Sequence, residues 1–407
     1  MTGARVYLFG PFRLEVDEHR LLRDGEVVPL PGKAFELLLA LVEGVGTLQK
    51  QTALIDRLWP DVVVDPNNLQ YTMSLVRRAL ADAPGVVVQT VRGQGYRLVA
   101  DIESDATPMK ATSRSEEQTI RFCKAHDGAR LAYAVMGEGP PLVKAANWLS
   151  HLEMDRSGPL WRHWLEYFGE RSGRSLLRYD ARGNGLSAWE PPRITFEDFV
   201  ADLGSVFDAA EVERAPVLGI SQGAAVAVAW AAHHPERVSG LILVGGCARG
   251  WRVKNHVTLT ESFEALMALM RNGWGGKSSA FRQIFTTAFF PDASKDQMEW
   301  FNELQRQTTS PSNAAAILSA LGDVDVREEM KRIRVPTIVF HSRGDAVVPL
   351  SDGIELASGI PNARFVELES PNHVWIASDP AWARFTAEVD GFLKVVDAKE
   401  KPQRSPR

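Results

Sequence analysis

Two patterns of hydrophobic positions divide the chain into a shorter first part and a longer second part. In the first hundred residues, short β-like runs separated by turn pairs such as Asp24-Gly25 give way to helical periodicity, which places Phe35, Leu38 and Val42 on one face. From about residue 119, apolar runs of strand length alternate with helical segments. The patterns predict an α+β domain at residues 1–100, followed by an α/β domain with a doubly wound parallel sheet.

The segment at residues 101–118 follows neither pattern. It is polar, contains few apolar residues and shows no period, so we expect a flexible linker there. The α/β domain then occupies residues 119–395. The charged, proline-containing residues 396–407 are expected to form a disordered tail.

Three helices and a closing β-hairpin in the first part predict a winged helix-turn-helix. The third helix runs from Asn67 to Ala81, and the hairpin, or wing, follows it. Here the chain resembles the OmpR/PhoB-type effector domain, over about residues 5–100. The motifs that carry the resemblance are Leu58-Trp59-Pro60, Asn67-Asn68-Leu69, Val76-Arg77-Arg78-Ala79-Leu80 and Thr90-Val91-Arg92-Gly93-Gln94-Gly95-Tyr96-Arg97. The resemblance implies that the third helix enters the DNA major groove while the wing touches the minor groove and the backbone.

Residue chemistry and the resemblance together suggest the contacts with double-stranded DNA. Amide, hydroxyl and guanidinium groups suit base edges and phosphates. The predicted contacts are Asn67, Asn68, Tyr71, Thr72, Arg77, Arg78, Arg92 and Tyr96. The domain is not basic, however, because residues 1–100 hold 11 Lys and Arg against 11 Asp and Glu. Either the charge is segregated onto one face or dimerisation supplies further affinity; a winged helix that contacts only proteins is the alternative.

Proteins with this effector domain usually carry a phosphoacceptor receiver domain ahead of it. Because the effector begins near residue 5 in this chain, we expect no receiver domain. The input signal is then expected to enter through the second domain.

The second part contains a G-x-S-x-G pattern at Gly219-Ile220-Ser221-Gln222-Gly223. An apolar run precedes it and small residues follow it, which predicts a strand, a tight turn and a helix with Ser221 at the tip. Glycine is needed on both sides because larger side chains would clash with neighbouring backbone. The turn presents the serine hydroxyl, and the N–H of Gln222 can face a developing oxyanion.

With its neighbouring motifs, this pattern resembles the α/β-hydrolase superfamily over about residues 119–395. The motifs are Asp180-Ala181-Arg182-Gly183-Asn184-Gly185-Leu186-Ser187, Gly219-Ile220-Ser221-Gln222-Gly223, His234-Pro235-Glu236-Arg237-Val238, Pro336-Thr337-Ile338-Val339-Phe340-His341-Ser342-Arg343-Gly344-Asp345 and Pro371-Asn372-His373. The chain order Ser, Asp, His is the one that this fold uses. The resemblance implies that Ser221 is the nucleophile, that His373 takes its proton and that Asp345 orients the imidazole. A pocket that binds without turnover is the alternative.

The stretch after the strand at residues 141–146 departs from the family pattern. Members usually have His-Gly there, whereas this chain has Ala146-Asn147-Trp148. The alignment gives the second oxyanion N–H to Trp148 and puts Asn147, which tolerates unusual backbone angles, in place of glycine. We expect Asn147, Ser150 and His151 to line the ligand pocket and Trp148 to narrow it; a Trp148 that belongs to the core is the alternative.

A long insert at about residues 249–330 lies between two strands of the second domain. It is amphipathic and rich in aromatic residues. The family resemblance implies a helical cap over Ser221, whose inward residues would line a pocket for an apolar or aromatic ligand.

Composition narrows the class of protein further. Hydrophobic residues make up 45% and charged residues 24% of the chain, as in soluble globular proteins. The net charge of -5 argues against a chain that is basic throughout. Cys123 and Cys247 lie far apart without metal-ligand spacing, which supports neither a disulfide framework nor a zinc site and fits a protein of the reducing cytoplasm. We expect no metal and no cofactor. We expect no signal peptide, and no apolar run reaches the ~20 residues that a membrane helix needs.

The sequence therefore predicts a one-component, cytoplasmic transcriptional regulator that binds DNA as a homodimer. Its hydrolase domain is expected to bind, and to hydrolyse, a small apolar or aromatic ester, thioester or lactone. Two alternatives stay open. The protein could be a plain serine esterase with a vestigial winged helix, or a regulator that senses a ligand without turning it over.

Overall fold

The chain forms two compact units, residues 1–115 and residues 116–407. In this computed structural model the described residues are 4–400, without Asp17, 60–65, Asp82, Pro84, 92–93, Asp101, 108–117 and Lys277.

The first unit combines two antiparallel sheets with three helices. Its strands are β1 (Ala4–Phe9), β2 (Phe12–Glu15), β3 (Arg20–Arg23), β4 (Glu26–Val28), β5 (Gln49–Lys50), β6 (Val87–Val91), β7 (Gly95–Val99) and β8 (Ile102–Thr107). Its helices are α1 (Gly32–Glu43), α2 (Gln51–Leu58) and α3 (Pro66–Ala79). One sheet has the strand order β4-β3-β2-β1-β8 and the other has the order β5-β7-β6. The three helices with the β6–β7 hairpin confirm the predicted winged helix-turn-helix.

The core of this unit forms where apolar residues at helical spacing face one another. Phe35 and Leu38 of α1 are fully buried, and Leu69, Met73 and Val76 of α3 are buried in the same cluster. Removing such a side chain from water contributes about 2 kcal/mol. The apolar stripe of α3 therefore decides which of its faces turns outward.

Part of the segment predicted as a flexible linker is a strand. β8 pairs antiparallel with β1 along its whole length, from Ala4 opposite Thr107 to Phe9 opposite Ile102. The ladder is made by backbone groups, so a polar composition does not prevent it, and β8 covers an edge of β1 that would otherwise be open. Residues 108–117 of the predicted linker lie outside the described part of the chain.

The second unit is built on an eight-stranded sheet. Its strands are β9 (Thr119–Lys124), β10 (Arg130–Met136), β11 (Pro141–Lys144), β12 (Ser175–Tyr179), β13 (Ala215–Ile220), β14 (Val238–Val244), β15 (Thr337–Ser342) and β16 (Arg364–Leu368). The strand order is β16-β15-β14-β13-β11-β12-β10-β9, antiparallel at β9 and β10 and parallel elsewhere. β13 and β14 are buried at every residue, as parallel strands covered on both faces should be. The α/β fold class is thus confirmed.

Helices connect the strands of this sheet and form the insert above it. The connecting helices are α4 (Leu152–Ser157), α5 (Arg162–Glu166) with a π-helical turn (Tyr167–Arg171), α6 (Phe196–Ala209) and α7 (Gln222–His233). Between β14 and β15 lie α8 (Val257–Gly273), α9 (Ala280–Phe289), α10 (Lys295–Thr308), α11 (Pro311–Gly322) and α12 (Arg327–Met330). The last helices are α13 (Leu350–Gly359) and α14 (Pro380–Glu400). We call helices α8–α12 the cap.

The start of the predicted disordered tail is helical. α14 continues through Glu400 because Val396 remains in the core, where it is 1% exposed. A Cβ added to Gly240 of β14 would lie 2.7 Å from Cγ2 of Val396, which shows how closely the helix packs on the sheet. Residues 401–407 lie outside the described part of the chain.

Both cysteines, Cys123 and Cys247, are free thiols. Among the described residues, none of the helices combines the length and the apolar character that crossing a membrane requires.

Candidate active site and DNA-binding surface

Ser221 stands between β13 and α7 in a strained backbone conformation. Its φ is 52° and its ψ is -119°, a region that residues other than glycine rarely adopt. A Cβ on Gly219 would lie 2.5 Å from the carbonyl oxygen of Gly223, so glycine is needed where the strand turns into the helix. Gln222 is the first residue of α7, and its N–H is among the donors that a helix leaves unpaired at its start.

Asp345 and His373 form a buried hydrogen-bonded pair. Nδ1 of His373 lies 2.6 Å from Oδ2 of Asp345, and Oδ1 of Asp345 accepts hydrogen bonds from the N–H groups of Val347 and Val348 at 2.8 and 2.9 Å. Burial alone would raise the pKa of Asp345, but the charge and the hydrogen bond of His373 outweigh it and hold the pKa below its ordinary value. Asp345 is therefore an ionised acceptor that fixes the imidazole with Nε2 pointing away from the carboxylate.

Ser221 and His373 adjoin two consecutive residues, Val244 and Gly245, at the end of β14. The N–H of Ser221 donates to the carbonyl oxygen of Val244 at 2.8 Å. A Cβ on the next residue, Gly245, would lie 3.1 Å from Cε1 of His373. Nε2 of His373 is buried and has no hydrogen-bond partner among the described residues. We call the turn from β13 into α7, residues 219–223, the serine elbow. Nε2 of His373 is thus available to a proton donor at the serine elbow.

The loop after β11 packs directly against the serine elbow. A Cβ on Gly223 would lie 3.1 Å from the carbonyl oxygens of both Ala145 and Ala146. Trp148 follows in this loop, and its indole ring is 6% exposed. Within the described residues the N–H of Trp148 makes no backbone hydrogen bond. The assignment of Gln222 and Trp148 as oxyanion donors remains a prediction.

The three residues predicted to line the pocket have other partners. The carboxamide of Asn147 accepts from Nζ of Lys144 and donates to the carbonyl oxygen of Trp148. The hydroxyl of Ser150 accepts from the N–H of Ala181 at 3.0 Å. These hydrogen bonds show that Asn147 and Ser150 support the loop. Their place in the wall of the ligand pocket remains a prediction.

His151 caps α4, and its place in the pocket also remains a prediction. Its Nδ1 accepts hydrogen bonds from the N–H groups of Glu153 and Met154, each at 3.3 Å. Burial, together with the positive charge of Arg178, lowers the pKa of His151 to about 4, which keeps the imidazole neutral and able to accept. A histidine at this position satisfies orphan helix N–H groups as a shorter polar residue usually does.

His341 is a neighbour of the candidate site to which the sequence motifs gave no separate role. It is fully buried in β15, and its Nε2 lies 2.8 Å from the carbonyl oxygen of Val348 and 3.6 Å from Oδ2 of Asp345. It therefore braces the turn that carries Asp345. The only sequence signal was its position four residues before that carboxylate.

The cap contacts both sides of the candidate site through α9. The ring of Phe285 stacks near Trp148, with centroids 6.3 Å apart, and the ring of Phe289 meets His373 edge-on at 5.0 Å. The carbonyl oxygen of Phe289 also accepts the N–H of His373 at 2.9 Å. Trp274 adds a third aromatic ring, edge-on to Trp148 at 5.9 Å. The surroundings of Trp148 and His373 are thus largely aromatic.

One cluster of acidic and histidine side chains has the spacing of a metal site in the described part of the chain. It consists of His126, Asp127 and Asp198. Arg182 lies 2.8 Å from Asp127 and 3.5 Å from Asp198, and Arg193 lies 2.9 Å from Asp198. Guanidinium groups thus already neutralise these carboxylates, which therefore do not argue for a cation.

On the winged helix, two of the predicted DNA contacts are buried. Thr72 is 5% exposed, and its hydroxyl donates to the carbonyl oxygen of Asn68 one turn earlier. Tyr96 is 4% exposed and packs in the core beneath the guanidinium of Arg77. We correct both assignments, because neither side chain can reach a DNA groove. The sequence pattern could not separate the two cases, because threonine and tyrosine occur both on polar surfaces and in cores.

The outward face of α3 keeps some of the remaining predicted contacts. Arg77 and Arg78 are exposed at its end, and Arg77 is hydrogen-bonded to Thr90 of the wing at 2.5 Å. Asn68 is partly exposed, and so is Tyr71. The side chain of Asn67 and the whole of Arg92 lie outside the described residues. Contacts of all these residues with DNA remain predictions.

Family models match both units. The model described as "Transcriptional regulatory protein, C terminal" matches residues 25–98, which agrees with the OmpR/PhoB-type resemblance. The model described as "Serine aminopeptidase, S33" matches residues 163–373, more than half of the chain. The fusion of an effector domain with an α/β hydrolase is confirmed.

Individual relatives resemble the second unit. A 3-oxoadipate enol-lactonase of Acinetobacter baylyi is 23% identical over 271 residues, 65% of this chain and 93% of the relative. A pimeloyl-acyl-carrier-protein methyl ester esterase of Aliivibrio salmonicida is 27% identical over 283 residues, 66% of this chain and 97% of the relative. The crystal structure of an enol-lactonase from Burkholderia xenovorans superposes with a TM-score of 0.53 at 25% identity, covering 67% of this chain and 100% of the other.

Proposed function

We propose, from the premise that this chain belongs to the serine aminopeptidase S33 family of α/β hydrolases, that it is a DNA-binding regulator whose hydrolase unit acts on a small ester. The nucleophile is Ser221, the base is His373, and Asp345 orients the base. The observation that carries the catalytic part is the convergence of the strained Ser221 turn and the Asp345–His373 pair on Val244 and Gly245.

The reaction follows from these positions. Nε2 of His373 accepts the proton of Ser221 as the hydroxyl oxygen attacks the ester carbonyl, and the N–H groups of Gln222 and Trp148 receive the oxyanion. His373 returns the proton to the departing alcohol or thiol as the bond to the acyl carbon breaks. A water molecule, deprotonated by the same imidazole, then cleaves the acyl-serine and restores the free hydroxyl.

The substrate class is supported by the surroundings and by the relatives. Phe285, Phe289 and Trp274 of the cap present aromatic rings around Trp148 and His373. Such walls suit an apolar or aromatic acyl group. The named relatives are an enol-lactonase and a methyl ester esterase, so we propose an ester, thioester or lactone as substrate.

The regulatory part rests on the effector domain in the same chain. The exposed face of α3 and the wing bind double-stranded DNA in the cytoplasm, and the protein acts as a homodimer on paired half-sites. Substrate binding or acylation of Ser221 changes the affinity for DNA.

Two substitutions of serine test the catalytic part. Ser221→Ala removes the nucleophile, whereas Ser205→Ala removes a partly buried hydroxyl that donates to a carbonyl oxygen within α6. We expect the wild type and Ser205→Ala to hydrolyse p-nitrophenyl acetate and to react with a fluorophosphonate, and Ser221→Ala to do neither. All three should bind DNA equally in a gel shift.

The contrary results separate the alternatives. A wild type that reacts with neither reagent would make the hydrolase unit a sensor without turnover. Hydrolysis without binding to any DNA sequence would make the protein a plain esterase. Turnover of aminoacyl p-nitroanilides but not of esters would contradict the proposed substrate class.

A further inference from the structure

Lys144 is an unusual residue for its place in the sheet. It ends β11, a strand of otherwise apolar character, and it is 7% exposed. Its ammonium group donates to Oδ1 of Asn147 and lies 5.5 Å from the centre of the Trp161 ring. The described residues provide no ion pair for Lys144. A buried cation is costly without compensation, so its hydrogen bond to Asn147 must be strongly maintained.

Asn147 links Lys144 to the backbone of the next residue, Trp148, by a second hydrogen bond. While Oδ1 is held by Lys144, Nδ2 donates to the carbonyl oxygen of Trp148 at 3.0 Å. The hydrogen bond spans the backbone from Asn147 to the end of Trp148 and limits the rotation of the peptide between them. Leu149 follows with a φ of 56°, a left-handed conformation that is strained for a leucine. The loop is therefore held in a shape that it would not adopt by itself.

That shape matters because the loop adjoins the serine elbow. Gly223 touches the backbone of Ala145 and Ala146, so the peptide that carries the Trp148 N–H lies within a few residues of this contact. In family members with His-Gly, a glycine provides close approach. In this chain an asparagine occupies the position, and a buried lysine holds it.

We propose that Lys144 is a positioning residue, which acts through Asn147 to aim the N–H of Trp148 at the oxyanion formed on Ser221. The inference rests on the proposed function of Ser221 and deepens it. In this role Lys144 and Asn147 act on the loop and not on the substrate. They replace the conformational freedom of glycine with a fixed hydrogen-bond chain.

The charge of Lys144 makes the arrangement sensitive to pH. Burial lowers the pKa of Lys144 to about 8, against the opposing influence of Asp155 and Asp180, and Arg178 lowers it further. Below that pH the ammonium group of Lys144 donates a charged hydrogen bond to the carboxamide of Asn147. Above that pH the amine is neutral, and its hydrogen bond to the carboxamide is weaker. Activity should therefore decline above about pH 8. Burial also raises the pKa of Asp180 to about 8, so a variant of Lys144 is needed to identify the source.

The test compares three single variants and one double variant of the full chain with p-nitrophenyl acetate. Lys144→Met keeps the volume but removes the charge, and Asn147→Asp keeps an acceptor for Lys144 but removes the donor to Trp148. Losing one oxyanion donor costs about 100-fold in kcat, and we expect a loss of that order in each with little change in KM. The double variant should be no worse than the poorer single one, because both break one chain.

Lys254→Met is the matched control, since that lysine pairs with Asp352 at 2.5 Å, apart from the loop. It should retain the wild-type kcat. In Lys144→Met the decline above pH 8 should disappear. Ser221 of Lys144→Met should still react with a fluorophosphonate, although more slowly than in the wild type, which would show that the serine elbow is intact. If Lys144→Met does not fold, the kcat of Asn147→Asp tests the same hydrogen-bond chain.

The inference fails if the wild type is active and both Lys144→Met and Asn147→Asp keep its kcat. It also fails if losses in kcat multiply in the double variant or if the alkaline decline survives without Lys144. A wild type that neither hydrolyses the ester nor reacts with the fluorophosphonate overturns the proposed function, and this inference with it.

Discussion

Backbone strain and candidate chemistry coincide at single residues. Ser221 and Leu149 have φ values of 52° and 56°, although neither is glycine, and Gly245 has a φ of 56° beside the ring of His373. Each such non-glycine residue costs about 1–3 kcal/mol and persists only where the surroundings enforce it. The two strained residues lie in the serine elbow and in the loop of Trp148, whereas Gly245, at the end of β14, adopts its positive φ without such a cost.

Gly245 allows this arrangement to be tested without touching a reacting group. We expect Gly245→Ala to lower kcat about tenfold or more, because its Cβ would lie 3.1 Å from Cε1 of His373 and would shift the imidazole. Ester hydrolysis measures the effect. Gly128→Ala is the control, since Gly128 has a φ of 87° and nothing within 4 Å of the added Cβ. Both variants should lose about 1 kcal/mol of stability, and equal kcat values would disprove the steric argument.

At the scale of elements, the motifs indicated the candidate catalytic residues, whereas the contacts that support these residues became visible only in the structure. Ser221, Asp345 and His373 follow strands of a parallel sheet, whose carboxyl ends meet at one edge, and the motif order alone indicated them. His151 could not be assigned in this way, because a histidine that caps a helix looks like one that binds a ligand until the partners of its nitrogens are known.

The strand β8 shows that sequence patterns also failed to predict part of the backbone structure. Its polar residues carry no periodic signal, and the ladder with β1 depends on a strand almost a hundred residues away in the sequence. Burial of Thr72 and Tyr96 was likewise decided by tertiary packing. A polar residue on a periodic helix is outward only if its neighbours leave it there, which the one-dimensional pattern does not contain.

The cap helices offer a matched test of local sequence signals. Ser294 begins α10 with a capping box, in which its hydroxyl accepts the N–H of Gln297 and the Gln297 side chain accepts the N–H of Ser294. Ser279 precedes α9 without a side-chain capping bond. Ser294→Ala should therefore cost about 1 kcal/mol, and Ser279→Ala less than about 0.5 kcal/mol.

Thermal unfolding followed by tryptophan fluorescence measures the difference, because every tryptophan except Trp59 belongs to the second unit. Equal losses of stability in the two variants would show that the capping box of α10 does not stabilise helices α8–α12.

The exposed end of α3 gives a prediction for the winged helix. Arg78 is exposed there, and we expect Arg78→Ala to weaken DNA binding to a similar degree on all sequences and to lower the salt slope by about 1, because a phosphate contact is lost. Fluorescence anisotropy at several salt concentrations measures both. Arg13→Ala is the control, because Arg13 lies on β2 and pairs with Glu15 at 2.7 Å. An unchanged salt slope in Arg78→Ala would show that Arg78 does not contact a DNA phosphate.

At the scale of the whole molecule, the two units form one chain with two different chemistries. The first unit has the fold of an OmpR/PhoB-type effector, and the second has the fold of an enzyme that handles small molecules. Coupling between them requires that the substrate, or the acyl group on Ser221, stabilises one DNA-binding state more than another. The size of the response is set by that difference in affinity and not by how tightly the ligand binds.

Covalent modification of Ser221 gives the sharpest test of this coupling, because a fluorophosphonate transfers its phosphonyl group to the serine oxygen with loss of fluoride. We expect reaction with a fluorophosphonate to change the affinity for a duplex selected from a random pool by about fivefold or more, at constant salt, because typical coupling free energies are 1–3 kcal/mol. Anisotropy titrations of labelled and unlabelled protein measure the change. Ser221→Ala, treated with the same reagent, is the control and should not respond. A labelled wild type that binds DNA with unchanged affinity would separate the two units functionally, and the hydrolase would then not be the input of the regulator.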